Sequence, residues 1–256
     1  MEHLYGPNVH FSDSVWMQSL LVRIGSPDTQ VRDVPGLVRA AYRQQLSEIL
    51  AAEFPVIQAQ RATRMAASDP RGIYHGPLLC PGTRLVIASV IRGGILPSQT
   101  CYEEACRVLP PKNVRLDFLN MSRTVDENGR VTGVHFDGSK IGGPIDDAVV
   151  LIPDPMGATG GTVARTIEEY RQAVDGEPRA FVAAHLMVTP EYVQRLSNSH
   201  PDLQIYAGRF DRGLSPEEVL STPPGTHKDL ERGLTDTQYI VPGAGGIGEL
   251  LTNSWV

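Results

Sequence analysis

Between residues 84 and 208 the chain alternates short, nearly unbroken apolar runs with longer amphipathic stretches. The apolar runs are RLVIASVI (84–91), VRLDFLNM (114–121), AVVLI (148–152), AFVAAHLMV (180–188) and LQIYAG (203–208). Strands covered on both faces read this way, because neither face presents polar side chains to water. The intervening segments SQTCYEEACRVL and GTVARTIEEYRQAV are spaced for helices, and in the second Val163, Ile167, Tyr170 and Val174 fall on one side. Alternation of the two kinds predicts an α/β fold with a parallel sheet flanked by helices. Upstream, GLVRAAYRQQLSEILAAEF (36–54) places Val38, Tyr42, Leu46 and Ile49 on one helical face. Pro35 sits at the start, where a missing N–H is harmless, and Pro55 ends the pattern.

Outside this rhythm, TVDENGRVTGVHFDG carries Asn128-Gly129, a dipeptide suited to the positive φ angles of a tight turn, so residues 124–137 are expected to form a hairpin arm. Residues 213–238 contain Pro216, Pro223 and Pro224 without sustained periodicity and read as an insertion or lid loop. The echo of DRGLS (211–215) in ERGLT (231–235) is too short for a structural repeat. The expected organisation is one domain over 1–256. Within it lie an N-terminal helical arm (1–75), the hairpin arm, the insertion and a glycine-rich tail (239–256).

Composition narrows the class. Of the 256 residues, 41% are hydrophobic and 20% charged, a balance that supports a sizeable core and excludes a disordered or fibrous chain. No apolar run approaches the ~18 residues of a membrane span, and MEHLYGPNVHFSDS lacks the basic start and apolar middle of a signal peptide, so a cytoplasmic protein is expected. Cys80, Cys101 and Cys106 form no CxxC and are expected to be buried core thiols. A net charge of -6 argues against a nucleic-acid binder, which holds phosphates with clustered Lys and Arg, yet leaves room for a small anion held by a few arginines.

The segment that carries chemistry is VVLIPDPMGATGGTVARTIEEYRQ (149–172). A buried strand, a glycine-rich loop and a helix follow one another, which places the loop at the carboxyl end of a strand, where open α/β sheets bind ligands. Unpaired N–H groups at the helix start favour an anion, and the glycines at 157, 160 and 161 let it approach the backbone. Thr159 and Thr162 add hydroxyls, and Asp154 supplies a carboxylate suited to sugar hydroxyls. A Walker A loop needs Lys where Gly161 stands, so a sugar phosphate fits better than a nucleoside triphosphate. In the tail, GAGGIG satisfies G-x-G-x-x-G at Gly243, Gly245 and Gly248. A dinucleotide site requires a following helix and an acidic residue some 20 positions on, a continuation not seen up to Val256, so the dinucleotide reading is not expected.

DPMGATGGT (154–162) resembles the phosphoribosyl diphosphate (PRPP) motif of uracil phosphoribosyltransferases. Three more segments match that family in order: SVIRGGILP (89–97) is similar to its diphosphate loop, HPDLQIYAGRFDRGL (200–214) to its penultimate strand, and YIVPGAGGIGE (239–249) to its base-binding tail. VHFSDS and the segment QRATRM, read as helical, fit more loosely. The resemblance covers most of the chain except the insertion at 215–233.

The resemblance implies a phosphoribosyltransferase-like fold and displacement of diphosphate from ribose C1 by a pyrimidine nitrogen. It assigns the ribose 2- and 3-hydroxyls to Asp154 and the 5-phosphate to Gly157, Ala158, Thr159, Gly160, Gly161 and Thr162, with Pro155 and Met156 in the same PRPP-binding run. Arg92 and Arg123 match arginines that contact PRPP; Asp154 and Arg92 would carry catalysis. Ile240, Gly245, Gly246 and Ile247 occupy base-contact positions. The implied cofactor is Mg²⁺ bound mainly through PRPP, with no dedicated metal ligands, and the implied assembly is a homodimer or higher homo-oligomer. No GxSxG, HExxH or histidine pair at metal-ligand spacing suggests another chemistry, and no general base is obvious.

The tail departs from the pattern. Family members typically read GLGDAGD where this chain reads GAGGIGE, so an acidic residue is missing at Gly246 and a small one is replaced by Ile247. Two readings stay open: an enzyme acting on uracil or a related base, and a non-catalytic PRPP or nucleotide sensor that keeps the phosphate cradle.

Overall fold

In the computed structural model the described residues are 2–125 and 131–254. They form, in order, β1 (Val9–Phe11), α1 (Val15–Gly25), α2 (Val34–Glu53), β2 (Val56–Ala62), β3 (Ile73–Leu79), β4 (Arg84–Ile91), α3 (Ile95–Ala105), β5 (Val114–Val125) and β6 (Val131–Lys140). The second half continues with β7 (Ala148–Pro153), β8 (Met156–Gly157), α4 (Gly161–Ala173), β9 (Ala180–Val188), α5 (Pro190–Ser199), β10 (Gln204–Phe210), α6 (Glu217–Leu220) and α7 (Ile247–Thr252).

The main sheet runs β1-β10-β9-β7-β4-β5-β6, with β8 added to β9. Its neighbours are parallel except for β5 and β6, which pair antiparallel. From β4 the chain steps outward to β5, whereas from β7 it steps the other way to β9 and β10. The strand order therefore reverses between the adjacent strands β4 and β7, and a crevice opens at their carboxyl ends.

From β10 through β9 and β7 to β4 the sheet is buried on both faces. One core packs Met17, Leu21, Tyr42, Ile49 and Cys101 from α1, α2 and α3 against Leu85, Val149 and Val182. The other packs Val163, Ile167, Tyr170, Tyr192 and Leu196 from α4 and α5 against Val86, Val150 and Ala183. The expected helical face of Val38, Tyr42, Leu46 and Ile49 is buried as a unit. No helix among the described residues is long and apolar enough to cross a membrane.

Two local expectations change, and a third lies partly outside the described residues. Gln60, Arg61 and Ala62 of QRATRM belong to β2, which pairs antiparallel with β3 over seven residues; a distant partner overrides the local preference for helix. Of the three free cysteines only Cys101 is buried, while Cys80 and Cys106 are partly exposed near the ends of β3 and α3. The strands flanking the expected hairpin turn do pair, but Asn128-Gly129 lies outside the described residues.

Residues 213–238 contain α6 and a series of turns organised by a fully buried carboxylate. Glu231 accepts from Arg212 at 2.7 Å, from the Gly225 amide at 2.8 Å and from the Tyr5 hydroxyl, which ties this segment to the N-terminal stretch. Breaking such a buried pair costs about 3–5 kcal/mol, which marks this part of the segment as scaffold.

Candidate active site

The crevice is a cleft of about 920 Å³. One wall comes from Arg92, Gly93 and Gly94 after β4, Asn120 to Ser122 of β5, and Asp154, Pro155, Met156, Ala158 and Thr162 after β7. The opposite wall is Thr237 to Ile240 together with Gly245 to Glu249. Among the described lining residues Asp154 and Glu249 are the acids and Arg92 is the basic residue.

The loop after β7 is stitched down before it turns into α4. Met156 and Gly157 pair with Met187 and Val188 of β9, and the Pro155 carbonyl accepts from the amides of Leu186 and Met187. The Thr189 hydroxyl donates to the Ala158 carbonyl at 2.7 Å. Gly157 and Gly160 serve this packing. A Cβ on Gly157 would lie 2.7 Å from Val188 Cγ1, and one on Gly160 3.1 Å from Leu196 Cγ. Gly160 also has φ +77°, a conformation that side chains disfavour. These two glycines thus relieve contact with the protein rather than with a ligand. What they leave open is the main chain, since none of the amides from Thr159 to Val163 donates to a protein acceptor among the described residues. The start of this helix thus keeps its orphan donors uncommitted, a geometry that suits an anion.

Asp154 is propped from beneath. Its amide donates to the Ala184 carbonyl, and its own carbonyl accepts from His185 Nδ1 at 2.5 Å. The other ring nitrogen of His185 accepts from the Tyr192 hydroxyl at 2.5 Å. Complete burial lowers the His185 pKa to about 4, so the ring is neutral and its Nδ1 proton serves the Asp154 backbone. The carboxylate accepts from the Met156 amide at 3.5 Å and lies near Gly93, where a Cβ would come within 3.6 Å of Oδ1.

The tail is held by contacts remote in sequence. Arg209 and Asp211 at the end of β10 form a two-pronged ion pair, at 2.5 and 2.8 Å. The same pair takes both polar groups of Gly243: the amide donates to Asp211 at 2.8 Å and the carbonyl accepts from Arg209 at 3.2 Å. Val241 is fixed by Gly213 and Gly233. Ile240, between these anchors, has neither its N–H nor its C=O engaged by protein among the described residues. The amides of Gly245 and Gly246 are also uncommitted, whereas Ile247 donates to the Gly245 carbonyl and buries its side chain completely.

The cleft therefore brings together Arg92, Asp154, Pro155, Met156, Ala158, Thr162, Ile240, Gly245, Gly246 and Ile247. Gly157, Thr159, Gly160 and Gly161 complete the loop but do not line the cavity. Arg92 is exposed and donates to the Ser254 hydroxyl at 2.7 Å. Arg123 belongs to β5 opposite Val134, and its side chain lies outside the described residues. Residues that sequence reasoning missed are Asn120 to Ser122, Thr237 to Tyr239, Glu249, His185 and the Arg209–Asp211 pair. Only the last left a legible trace, opposite charges two apart on one strand face.

A comparison with protein families finds a match to the model for uracil phosphoribosyltransferase over residues 18–227. The chain belongs to the uracil phosphoribosyltransferase family. Curated uracil phosphoribosyltransferases from Burkholderia mallei and Burkholderia thailandensis are each 26% identical over 247 residues, covering 96% of this chain and 94% of theirs. Among solved structures, the AQ2163 protein from Aquifex aeolicus shares the fold with a TM-score of 0.71 at 21% identity, over 97% of this chain and 99% of that one. As a family member the chain is a phosphoribosyltransferase. The family match spans the turn after β4, the loop after β7 and β10, and it ends before the tail that forms the opposite wall.

Proposed function

We propose that this phosphoribosyltransferase transfers the phosphoribosyl group of PRPP to uracil or a closely related pyrimidine, releasing diphosphate. The observation that carries the reading is the pairing of two uncommitted main-chain surfaces across one cleft. On one side the loop that reaches the cleft through Asp154, Ala158 and Thr162 carries the open amides of Thr159 to Val163; on the other are the N–H and C=O of Ile240 with the amides of Gly245 and Gly246.

The first surface suits a ribose 5-phosphate, with Asp154 accepting from the ribose hydroxyls. The second offers donors and an acceptor to the acceptor, donor, acceptor edge of uracil. Cytosine presents a donor at position 4 and an acceptor at N3, which would leave polar groups unpaired at a cost of about 1–3 kcal/mol each. Arg92 supplies planar donors for a diphosphate that gains charge as it departs, a role the resemblance also gives to Arg123. No cluster of three or more His, Cys, Asp or Glu that could hold a metal occurs among the described residues. Mg²⁺, which takes one or two carboxylates plus substrate phosphates and water, fits as a companion of PRPP with Asp154 or Glu249 as its nearest acids. When bound it would supply charge neutralisation at the diphosphate.

The test supplies PRPP, Mg²⁺ and a panel of bases, and follows nucleotide and diphosphate. Formation of UMP from uracil is the expected result; formation from another base alone would redirect the acceptor assignment. A sensor reading has one observation in its favour, the hydrogen bond that ties Arg92 to Ser254. PRPP binding without turnover on any base would replace the enzyme with that sensor.

A further inference from the structure

Gly246 is a glycine whose backbone does not require one. Its φ of -80° and ψ of 78° are open to other residues. What excludes a side chain is Glu249: a Cβ built on Gly246 would fall 1.5 Å from Glu249 Oε2 and 2.6 Å from its carboxyl carbon. The Glu249 carboxylate thus fills the volume that a side chain at 246 would take, at the cleft wall. The short helix α7 holds it there. Ile247 is buried in the core, Leu250 donates to the Gly246 carbonyl at 3.1 Å, and Gly248 packs against Gly93 on the turn that carries Arg92.

We propose that Glu249 is the proton acceptor for the pyrimidine nitrogen, reaching the cleft through the space left by Gly246. This rests on the transferase reading above. The attacking ring nitrogen enters as N–H and leaves bonded to ribose C1. As the C1–O bond breaks, its electron pair leaves on diphosphate, the nitrogen bonds to C1, and the nitrogen's proton passes to the Glu249 carboxylate and on to water. The described cleft lining contains no His, Lys or Cys, and the other acid, Asp154, stands on the opposite wall among the phosphate-loop residues. Glu249 is the acid on the wall formed by the tail. A positioned general base contributes about 10²–10⁴-fold.

The experiment compares Glu249→Gln with two double variants that move the side chain to position 246, Gly246→Asp/Glu249→Ala and Gly246→Asn/Glu249→Ala. It measures kcat and KM with uracil, PRPP affinity by calorimetry and folding by urea titration. Glu249→Gln is expected to lower kcat about 100-fold with PRPP affinity within about twofold. The Asp double variant should regain at least about tenfold of that loss, and the isosteric Asn variant none. Full kcat in Glu249→Gln, or equal rescue by Asn and Asp, would overturn the assignment, the latter making Glu249 a space filler. Absence of turnover by the parent protein on every base would overturn the transferase reading and this assignment together, whereas parent turnover that survives Glu249→Gln overturns this assignment alone.

Discussion

The loop after β7 and the C-terminal tail are both glycine-rich and both lie at the carboxyl end of the sheet, but they are built by different means. The loop is a local device: a strand ends, a helix begins, and the orphan amides between them follow from helix geometry. Its glycines seat that turn on β9 and α5. The tail has no such internal logic. Gly243 is held by an ion pair from β10, Val241 by two glycines upstream, and Gly246 gives its side-chain space to Glu249. The loop half can therefore be kept with little sequence, whereas the tail half depends on residues that must change together.

The sharpest way to break this comparison is at Asp154. Asp154→Asn keeps the shape but loses the charge proposed to accept from ribose, and kcat/KM for PRPP should fall about 10³-fold, near 4 kcal/mol. Asp175→Asn, on the exposed segment just after α4, should stay within about twofold in the same steady-state assay. Equal effects would remove the loop's claim to the sugar.

Arg209→Gln tests the tail. It leaves Asp211 buried without its partner and frees the Gly243 carbonyl, so stability should drop by about 3 kcal/mol in urea titrations. Among molecules that remain folded, KM for the base should rise about tenfold or more while PRPP affinity holds within about twofold. A matched loss of both would show that the halves are not separable.

His185 probes the loop's foundation through pH. Its pKa lies near 4 in the folded protein against 6.5 when unperturbed, so between these values the unfolded chain binds a proton that the folded chain does not. Stability should therefore decline as pH falls through that window, by about 3 kcal/mol in total for this group. His3 and His200, also lowered mainly by burial, add to the same slope. The difference between the parent and His185→Gln in urea titrations along the pH series isolates the His185 share, and identical slopes would contradict the neutral, buried ring.

The smallest effect is expected at Gly160. Gly160→Ala places a Cβ in left-handed backbone beside Leu196, at a cost of about 1–2 kcal/mol read by thermal or urea unfolding. PRPP affinity should fall as the loop shifts, and base KM should not.

The same contrast explains what was legible in the sequence. Strands β4, β5, β7, β9 and β10 and the helices α2, α3 and α4 announce themselves through nearly unbroken apolar runs or helical spacing, both local signals. The hairpin of β2 and β3 did not, because QRATRM is polar enough to suit an exposed helix and only the partner across the turn makes Gln60 to Ala62 a strand. At the candidate site, the loop that brings Asp154, Ala158 and Thr162 to the cleft could be located from strand, loop and helix alone. The tail was reachable only through resemblance. The roles of Arg209, Asp211, His185 and Glu249 each depend on an atom of another segment or on the space left by a missing side chain, and no periodicity records either.

The most direct test of the central claim is an amide-resolved NMR titration of the isotope-labelled protein with ribose 5-phosphate, compared with uracil. The account predicts that ribose 5-phosphate moves the amides of Thr159 to Val163 first and furthest, and that uracil moves those of Ile240, Gly245 and Gly246. Saturable binding of ribose 5-phosphate that leaves the amides of 159–163 unmoved would contradict it.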